Sequence, residues 1–235
     1  MAINLQTLRT RSLTALVFVA VMLAGLFING FSFIILFTIV LIGCLYEYGK
    51  IIKKINPQRY LNYLPLSFVY IVVPLLMLID LGINSPVQLN EQFATTTFPA
   101  YSPLMPCAII FSIWINDTMA YIVGSMIGKT PFSPISPKKT WEGTAGGALL
   151  CIIVIGLLGS LLKVTSFLPW YHWVIIALLC AVFGTLGDLL ESKLKRMANI
   201  KDSGNIMPGH GGFLDRFDSL LVATPFVWVY FKLIF

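Results

Sequence analysis

The sequence has few charged residues. Asp, Glu, Lys and Arg make up 11% of its 235 residues and hydrophobic residues 57%, whereas soluble domains are roughly 25% charged. A chain with so little charge cannot cover a water-facing surface of its own size, which excludes a soluble globular enzyme and a disordered chain. It also excludes a nucleic-acid-binding domain, so no nucleic acid is expected as a partner. We therefore expect a polytopic membrane protein.

Cysteines are also scarce, and short catalytic fingerprints are missing. No GxSxG, HExxH, Walker A or Rossmann fingerprint occurs in a usable context. The cysteines lie inside apolar runs without a CxxC spacing, which is typical of small buried side chains and not of disulfides or metal sites. These residues are Cys44, Cys107, Cys151 and Cys180.

Several long apolar runs set the fold class. A bilayer span takes about 20 residues, and the runs predict about seven spans in an all-α transmembrane helical bundle. The first run follows two arginines as in a signal peptide, but an A-x-A-like cleavage site is missing, so an uncleaved span is expected. Residues 1–103 then hold the N-terminal spans and residues 104–235 the catalytic membrane region of one integral membrane domain. The predicted spans are residues 13–28, 31–48, 63–83, 104–127, 144–162, 170–190 and 219–235.

The basic residues predict the orientation of the bundle. With a cytoplasmic N-terminus, the N-terminal segment and the loops after spans two, four and six hold every Lys and Arg except Lys163 and Lys232. Residues 84–103 contain no Lys or Arg and then lie outside. We therefore expect the N-terminus and the functional loops in the cytoplasm. The compact length is typical of a protein of the bacterial inner membrane.

Acidic residues are not explained by topology. Glu47, Asp80 and Glu91 lie near span ends or in the outer loop, where we expect solvated or interfacial positions. Asp117 instead interrupts an apolar run, where a lone carboxylate costs about 2.5–3.5 kcal/mol on insertion scales. One explanation is a structural partner for a Lys or Arg of the bundle. The explanation we favour is a site carboxylate in a water-accessible cavity.

Further acids are clustered towards the C-terminus. Asp188, Glu191 and Ser192 share one helical face, and Asp215 and Asp218 are also three residues apart. Hard carboxylate oxygens suit Mg²⁺, which shares its coordination with substrate phosphates. The glycines between these acids let a backbone approach a ligand, and their N–H groups can cradle phosphate. Topology explains part of the nearby basic charge, but the mixture indicates an anion-plus-metal site; the bases are Lys193, Lys195, Arg196, Lys201 and Arg216.

The proline-rich segment before the fifth span supplies further candidates. Three prolines stiffen it, Lys138 and Lys139 could bind phosphates, and Thr140 could donate a hydrogen bond. Trp141 fits either the membrane interface or a contact with a base. Farther along the chain, His210 fits a general base, a metal ligand or a hydrogen bond to phosphate.

Around these residues the sequence resembles the phosphatidate cytidylyltransferases, or CDP-diacylglycerol synthases. Their signature runs Ser-x-apolar-Lys-Arg, then Lys-Asp-x-small, then Pro-x-His-Gly-Gly-apolar-x-Asp-Arg-apolar-Asp. Residues 192–218 match it, with Met207 where the family usually has Leu, Ile or Phe. Residues 117–143 resemble a second conserved region, with Met119 and Ser125 in place of a small residue and an Arg.

The resemblance implies a nucleotidyltransferase that converts CTP and phosphatidate to CDP-diacylglycerol and pyrophosphate, in a polar cavity at the cytoplasmic interface. It implies Mg²⁺ as cofactor, with a second metal ion or basic side chains sharing the neutralisation of charge. Asp188, Asp215 and Asp218 are the implied metal ligands, with Asp117 and Glu191 as secondary candidates. The implied catalytic residues are Asp188, Asp215, Lys201 and Arg216. The implied substrate-binding residues are Asp117, Ser136, Lys138, Lys139, Thr140, Ser192, Lys195, Arg196, Asp202, His210, Gly211 and Gly212.

Two other functions are compatible with the composition. A cation-coupled transporter or channel would use Asp117 and Asp188 but would leave the glycine-rich segment without a role. A CDP-alcohol phosphotransferase would need an Asp-Gly-x-x-Ala-Arg motif, which is absent. Because helical membrane bundles commonly pair, a homodimer is among the expected partners, beside CTP, phosphatidate and membrane lipid.

Overall fold

Each predicted apolar run forms a helix. The computed structural model describes residues 5–84, 101–206 and 211–235, with side chains from residue 12 onward. The helices are α1 (Leu5–Phe27), α2 (Gly30–Ile55), α3 (Tyr60–Tyr63), α4 (Val73–Ile83), α5 (Leu104–Ile127), α6 (Trp141–Leu161), α7 (Trp170–Met197) and α8 (Leu214–Ile234). A π-helical turn, Phe68–Val72, joins α3 to α4. The predicted all-α polytopic class is confirmed.

Six helical segments are long and apolar enough to cross a membrane among the residues that the structure describes. They comprise α2, the stretch Tyr60–Ile83, and α5 to α8. The predicted first span corresponds to α1, whose apolar part Ser12–Phe27 is shorter. The count therefore agrees approximately with the seven spans that the sequence predicts.

A short β-hairpin, which the sequence did not predict, precedes α6. Its strands are β1 (Pro131–Ser133) and β2 (Ser136–Thr140), and they pair antiparallel with Ser133 opposite Ser136. The carboxylate of Glu142 accepts hydrogen bonds from the backbone N–H groups of Lys129 and Thr130 and from the Thr130 hydroxyl. These bonds fix the segment before the hairpin against the start of α6.

Successive membrane-length segments alternate in direction, which gathers distant parts of the sequence at one end of the bundle. The C-terminal ends of α2, α5 and α7, the N-terminal ends of α6 and α8 and the hairpin all lie there, and we call this the site end. At the opposite end, Asp80 of α4 accepts a hydrogen bond from Trp228 (2.7 Å) and pairs with Lys232 (2.9 Å). These contacts couple α4 to α8.

Close helix packing positions the site-end elements. α5 packs against α6, where a Cβ on Gly147 would overlap Ala120. α7 packs against α8, where a Cβ on Gly187 would overlap the carbonyl of Asp218. Small residues at such crossings let two backbones approach closely. The glycines thus bring the acidic ends of α7 and α8 side by side.

Several boundaries differ from the predicted spans, among them the end of α2, which lies at Ile55 instead of residue 48. Two of them border the acidic residues. α7 continues to Met197 instead of ending near residue 190, and α8 begins at Leu214 instead of residue 219. Hydropathy locates the apolar part of a helix but not the polar turns that extend it. The acidic residues at these ends therefore lie on regular helices. α2 and α4, from the predicted N-terminal part, pack on α8 of the predicted catalytic region. The division of the chain at residue 103 stays a prediction.

Candidate active site

A cavity of about 590 Å³, lined mainly by polar and charged residues, opens at the site end. Its walls come from α5, β2, α6, α7 and α8, so one space joins both sequence regions that the motifs single out. Of the predicted site residues, the structure brings Asp117, Ser136, Lys138, Lys139, Thr140, Asp188, Asp215 and Asp218 into its lining. Asn116, Ala120, Tyr121, Gly124, Ser125, Thr144, Thr185 and Ser219 complete it.

Three carboxylates of α7 and α8 form the acidic part of the site. One oxygen each of Asp188, Glu191 and Asp218 lies within 4.8 Å of the others. Glu191 is 1% exposed and Asp218 8%. Oε1 of Glu191 is buried without a hydrogen-bond partner in the part of the chain that the structure describes. Buried negative charges at this separation repel each other, so the group fits a divalent cation with oxygen ligands.

Two lysines lie next to these carboxylates. Lys139 of β2 pairs with Asp188, and both side chains are about three-quarters buried. Lys195 of α7 pairs with Glu191 at 2.5 Å and with Asp215 at 2.6 Å. The hairpin therefore contributes a cation directly to the acidic group, and Lys195 joins α7 to α8.

The carboxylate of Asp215 accepts hydrogen bonds on both oxygens. Lys195 Nζ donates to Oδ1 at 2.6 Å. The backbone N–H groups of Ser203 and Gly212 and the Ser203 hydroxyl all lie 2.8 Å from Oδ2. Asp215 lines the cavity, and the donors that the structure describes for it are protein groups. Its role as a metal ligand stays a prediction. In the described residues the acidic group that converges on one point combines Asp188 and Asp218 with Glu191.

Asp117 lies on α5 across the cavity. Its Oδ1 accepts a hydrogen bond from Nδ2 of Asn116, which is 3% exposed. The side chain of Asp117 is open to the cavity. The structure therefore places this carboxylate in a polar space, although it interrupts an apolar run.

Thr140 has a structural role in addition to lining the cavity. Its hydroxyl accepts a hydrogen bond from the backbone N–H of Gly143 at 3.1 Å, which caps the N-terminus of α6. The same hydroxyl lies so close to Gly128 that a Cβ there would overlap it. The cap and the close packing fix the exit of the hairpin that carries Lys139.

The glycine-rich segment contacts carboxylates of the protein. Gly211 has φ of +84°, and a Cβ on it would overlap Asp215. A Cβ on Gly212 or Gly204 would overlap the carboxylate of Glu47. These two glycines therefore admit a side chain of α2, whereas the sequence led us to expect a substrate phosphate near Gly211 and Gly212.

Glu47 was missed by sequence reasoning. We expected a solvated or interfacial position, but the side chain is 1% exposed, so this prediction is wrong. Its Oε1 accepts from the N–H of Phe213 (3.0 Å), and its Oε2 accepts from the N–H of Leu214 (2.9 Å) and the Ser203 hydroxyl (2.8 Å). The one signal in the sequence was a carboxylate within an apolar run.

The remaining predicted residues lie around the cavity and do not line it. The Ser192 hydroxyl donates to Asp188 at 3.4 Å. The side chains of Arg196, Lys201, Asp202 and Arg216 are exposed and absent from the lining. His210 lies outside the described residues, as does Glu91.

Three curated proteins with similar sequences are each named phosphatidate cytidylyltransferase. The Bacillus subtilis protein is 47% identical over 117 residues, which are 49% of this chain and 43% of that protein. The Synechocystis protein is 44% identical over 129 residues (52% and 41%), and the Staphylococcus saprophyticus protein is 46% identical over 114 residues (48% and 43%). The matched region thus spans less than half the length of each relative.

A family model gives the broader assignment. The model described as the cytidylyltransferase family matches residues 66–234, which is more than half of the chain and includes every helix that lines the cavity. The resemblance inferred from the signature residues is thereby confirmed. This integral membrane protein, which has six membrane-length helices among its described residues, belongs to the cytidylyltransferase family.

Proposed function

We propose that this protein is a phosphatidate cytidylyltransferase, which converts CTP and phosphatidate to CDP-diacylglycerol and pyrophosphate. The observation that carries the proposal is the cavity at the site end, where acids of α7 and α8 and the hairpin lysines line one space. Paired acidic and basic groups are the arrangement that two polyanionic substrates require. The relatives named above carry the same activity in their names.

The reaction needs little proton transfer. A phosphate oxygen of phosphatidate attacks the α-phosphorus of CTP, and the bond from that phosphorus to the oxygen bridging the β-phosphate breaks. Pyrophosphate leaves with the electron pair. Because phosphatidate is already an anion, the protein has mainly to bring the substrates together and to stabilise the charge that develops on pyrophosphate.

The basic residues of the cavity would perform that electrostatic work. Lys138 is exposed at the lining and would bind a substrate phosphate. Lys139 reaches the acidic group and would hold the reacting phosphates next to Asp188. Lys195 would neutralise Glu191 and Asp215 and so fix α7 relative to α8. Ser136 would add a hydroxyl from the hairpin.

A divalent cation, Mg²⁺ by preference, fits the acidic group. Asp188, Glu191 and Asp218 would hold it, since their oxygens converge and one is buried without a partner. Such an ion supplies charge neutralisation at the transferring phosphate. With Lys139 beside the group, we favour one divalent ion assisted by basic side chains over a second metal ion. Asp215, bound by protein donors, would orient Lys195 and the start of α8.

The site end would face the cytoplasm. It carries the lysines of the hairpin and of the ends of α2 and α7, as the positive-inside rule requires, and CTP is a soluble nucleotide. Tyr121 of α5 lines the cavity and is 78% exposed, and Met126 of the same helix is 76% exposed. These apolar side chains would let phosphatidate enter from the surrounding leaflet. A bacterial inner membrane and a homodimer stay predictions.

The direct test is an assay of the purified protein with CTP, phosphatidate and Mg²⁺. CDP-diacylglycerol should form, and Asp188→Asn and Asp218→Asn should each lose nearly all activity, whereas Asp80→Asn at the opposite end should keep it. Full activity in both site variants would contradict the proposed role of the acidic group. Ion flux in proteoliposomes without any CDP-diacylglycerol would favour a transporter instead.

A further inference from the structure

Glu47 stands apart from the residues that the family match covers. It lies on α2, outside the matched residues 66–234, and does not line the cavity. Its partners are 156 to 167 positions away along the chain. A carboxylate buried at this depth needs compensation from donors, which the described hydrogen bonds to Glu47 supply.

The carboxylate of Glu47 sits at the N-terminus of α8. Phe213 is the N-cap residue of that helix and Leu214 its first residue, and both donate their N–H groups to Glu47. These groups have no partners within the helix, and the helix dipole adds to the attraction for an anion. Glu47 thus occupies the position where a helix N-terminus otherwise binds phosphate.

A second carboxylate completes the capping. The N–H of Gly212 donates to Asp215 Oδ2 at 2.8 Å. The Ser203 hydroxyl lies 2.8 Å from Glu47 Oε2 and 2.8 Å from Asp215 Oδ2. Since a hydroxyl has one proton, Ser203 connects the two carboxylates through a single shared donor. A continuous set of contacts therefore runs from α2 to the cavity.

Glycines leave the space that this contact needs. A Cβ at Gly204 or Gly212 would overlap Glu47, so both positions leave room for its carboxylate and for little else. Gly43, one turn before Glu47 on α2, similarly lies where a Cβ would overlap the ring of Phe213. The surface of α2 is thus fitted to the start of α8 over two turns.

We propose that Glu47 is a positioning residue for the reaction, which fixes the first turn of α8 and thereby sets Asp215 and Asp218 in the cavity. It acts through Phe213, Leu214 and Ser203 and touches no substrate. The N-terminal helices, which lie largely outside the family match, then form part of the catalytic framework. This inference rests on the proposed function. The experiment below distinguishes a failure of the positioning role from a failure of the proposed function.

The main variant is Glu47→Gln. Glutamine keeps the size of the side chain but replaces one acceptor oxygen with an NH₂ group, which cannot accept from an N–H of α8. Losing a charge-assisted bond to a helix end corresponds to roughly a tenfold effect or more. We therefore expect kcat to fall about tenfold or more, with KM for CTP changed less than kcat because no substrate contact is lost.

Asp80→Asn is the matched control. Asp80 is also a carboxylate of an N-terminal helix, and it holds α8 through Trp228 and Lys232 at the opposite end. A general loosening of α8 would lower kcat in both variants equally. The proposal expects a loss in Glu47→Gln and wild-type kcat in Asp80→Asn.

Hydrogen exchange gives a readout that does not need activity. In Glu47→Gln the amides of residues 211–217 should exchange faster, while the amides of α5 and α6 should keep their wild-type rates. If Glu47→Gln does not fold, Ser203→Ala serves instead, because it cuts the shared hydroxyl but leaves the amide contacts of Glu47 in place. Its kcat should fall by a smaller factor than expected for Glu47→Gln.

The outcomes separate the two proposals. An inactive wild-type protein would end the proposed function, and the exchange rates would still decide whether Glu47 fixes the start of α8. An active wild type with kcat of Glu47→Gln within twofold of it would overturn the positioning role. So would equal losses in Glu47→Gln and Asp80→Asn, or unchanged exchange at residues 211–217.

Discussion

Replacing Lys139 with Met should separate catalysis from stability. Met is close to Lys in length but carries no charge, so the change removes the ion pair with Asp188 and leaves the apolar stem. The side chains of this pair are 28% and 27% exposed. A partly solvated pair of this kind contributes about 0–1 kcal/mol to stability. The unfolding midpoint should therefore fall by no more than about 4 °C.

The effect on the reaction should be much larger. If Lys139 stabilises charge on the reacting phosphates, its removal should lower kcat by about 10²–10³, the loss seen when one preorganised donor is removed. Lys232→Met is the matched control, because Lys232 forms a similarly exposed pair with Asp80 at the opposite end of the bundle. It should show a comparable change in midpoint and wild-type kcat.

The assay compares thermal unfolding and steady-state turnover of both variants in one detergent. Mg²⁺ should raise the midpoint of Lys139→Met more than that of the wild type, since the ion then compensates an acidic group that has lost its cation. Turnover of Lys139→Met within threefold of the wild type would refute the catalytic role. A loss of turnover matched by Lys232→Met would show that both effects come from loosened packing.

Three further experiments, two substitutions and the removal of divalent cations, test other contacts of the site. Gly212→Ala should lower kcat at least about tenfold, because a Cβ there would overlap the Glu47 carboxylate, whereas Gly49→Ala on the same helix as Glu47 has room and should be silent in turnover. Thr140→Ala removes the cap of α6 and should cost about 1 kcal/mol in unfolding free energy, measured by denaturant titration, with Thr38→Ala on an exposed face as control. Chelation of divalent cations should abolish turnover, and Mg²⁺ should restore it with a saturation curve that Asp218→Asn shifts to higher concentration or eliminates.

Hydropathy and residue spacing predicted much of the fold. Apolar runs indicate helices because a lipid-facing backbone must satisfy its own hydrogen bonds, and each predicted run is helical in the structure. The spacing of Asp188 and Glu191 put them on one face of α7, where the structure has them. Such local rules need only neighbouring residues in the chain.

Contacts between distant segments were beyond the reach of a single sequence. Glu47 meets Ser203 across 156 positions, and no pattern near either residue indicates the other. The motif likewise suggested roles for Lys201 and Asp202. Both are exposed beyond the end of α7 and do not line the cavity, so these roles stay predictions. Proximity in a signature does not determine which side chains face a common space.

The hairpin shows why the proline-rich segment before α6 was harder to predict. Sequence reasoning expected stiffness from its prolines but not the pairing of β1 with β2, which carries Lys139 to Asp188. The segment is too short for periodicity to reveal a strand. Its role becomes visible once α5 and α7 are known to flank it.

The fate of the phosphates of CTP tests the central claim most directly. With CTP labelled at the α-phosphorus, the purified protein should transfer the label to the lipid product, and with CTP labelled at the γ-phosphorus the label should appear in pyrophosphate. Both transfers should require phosphatidate and should be lost in Asp188→Asn. Appearance of the γ-label in lipid, or release of the α-label as free CMP without a lipid product, would contradict the account.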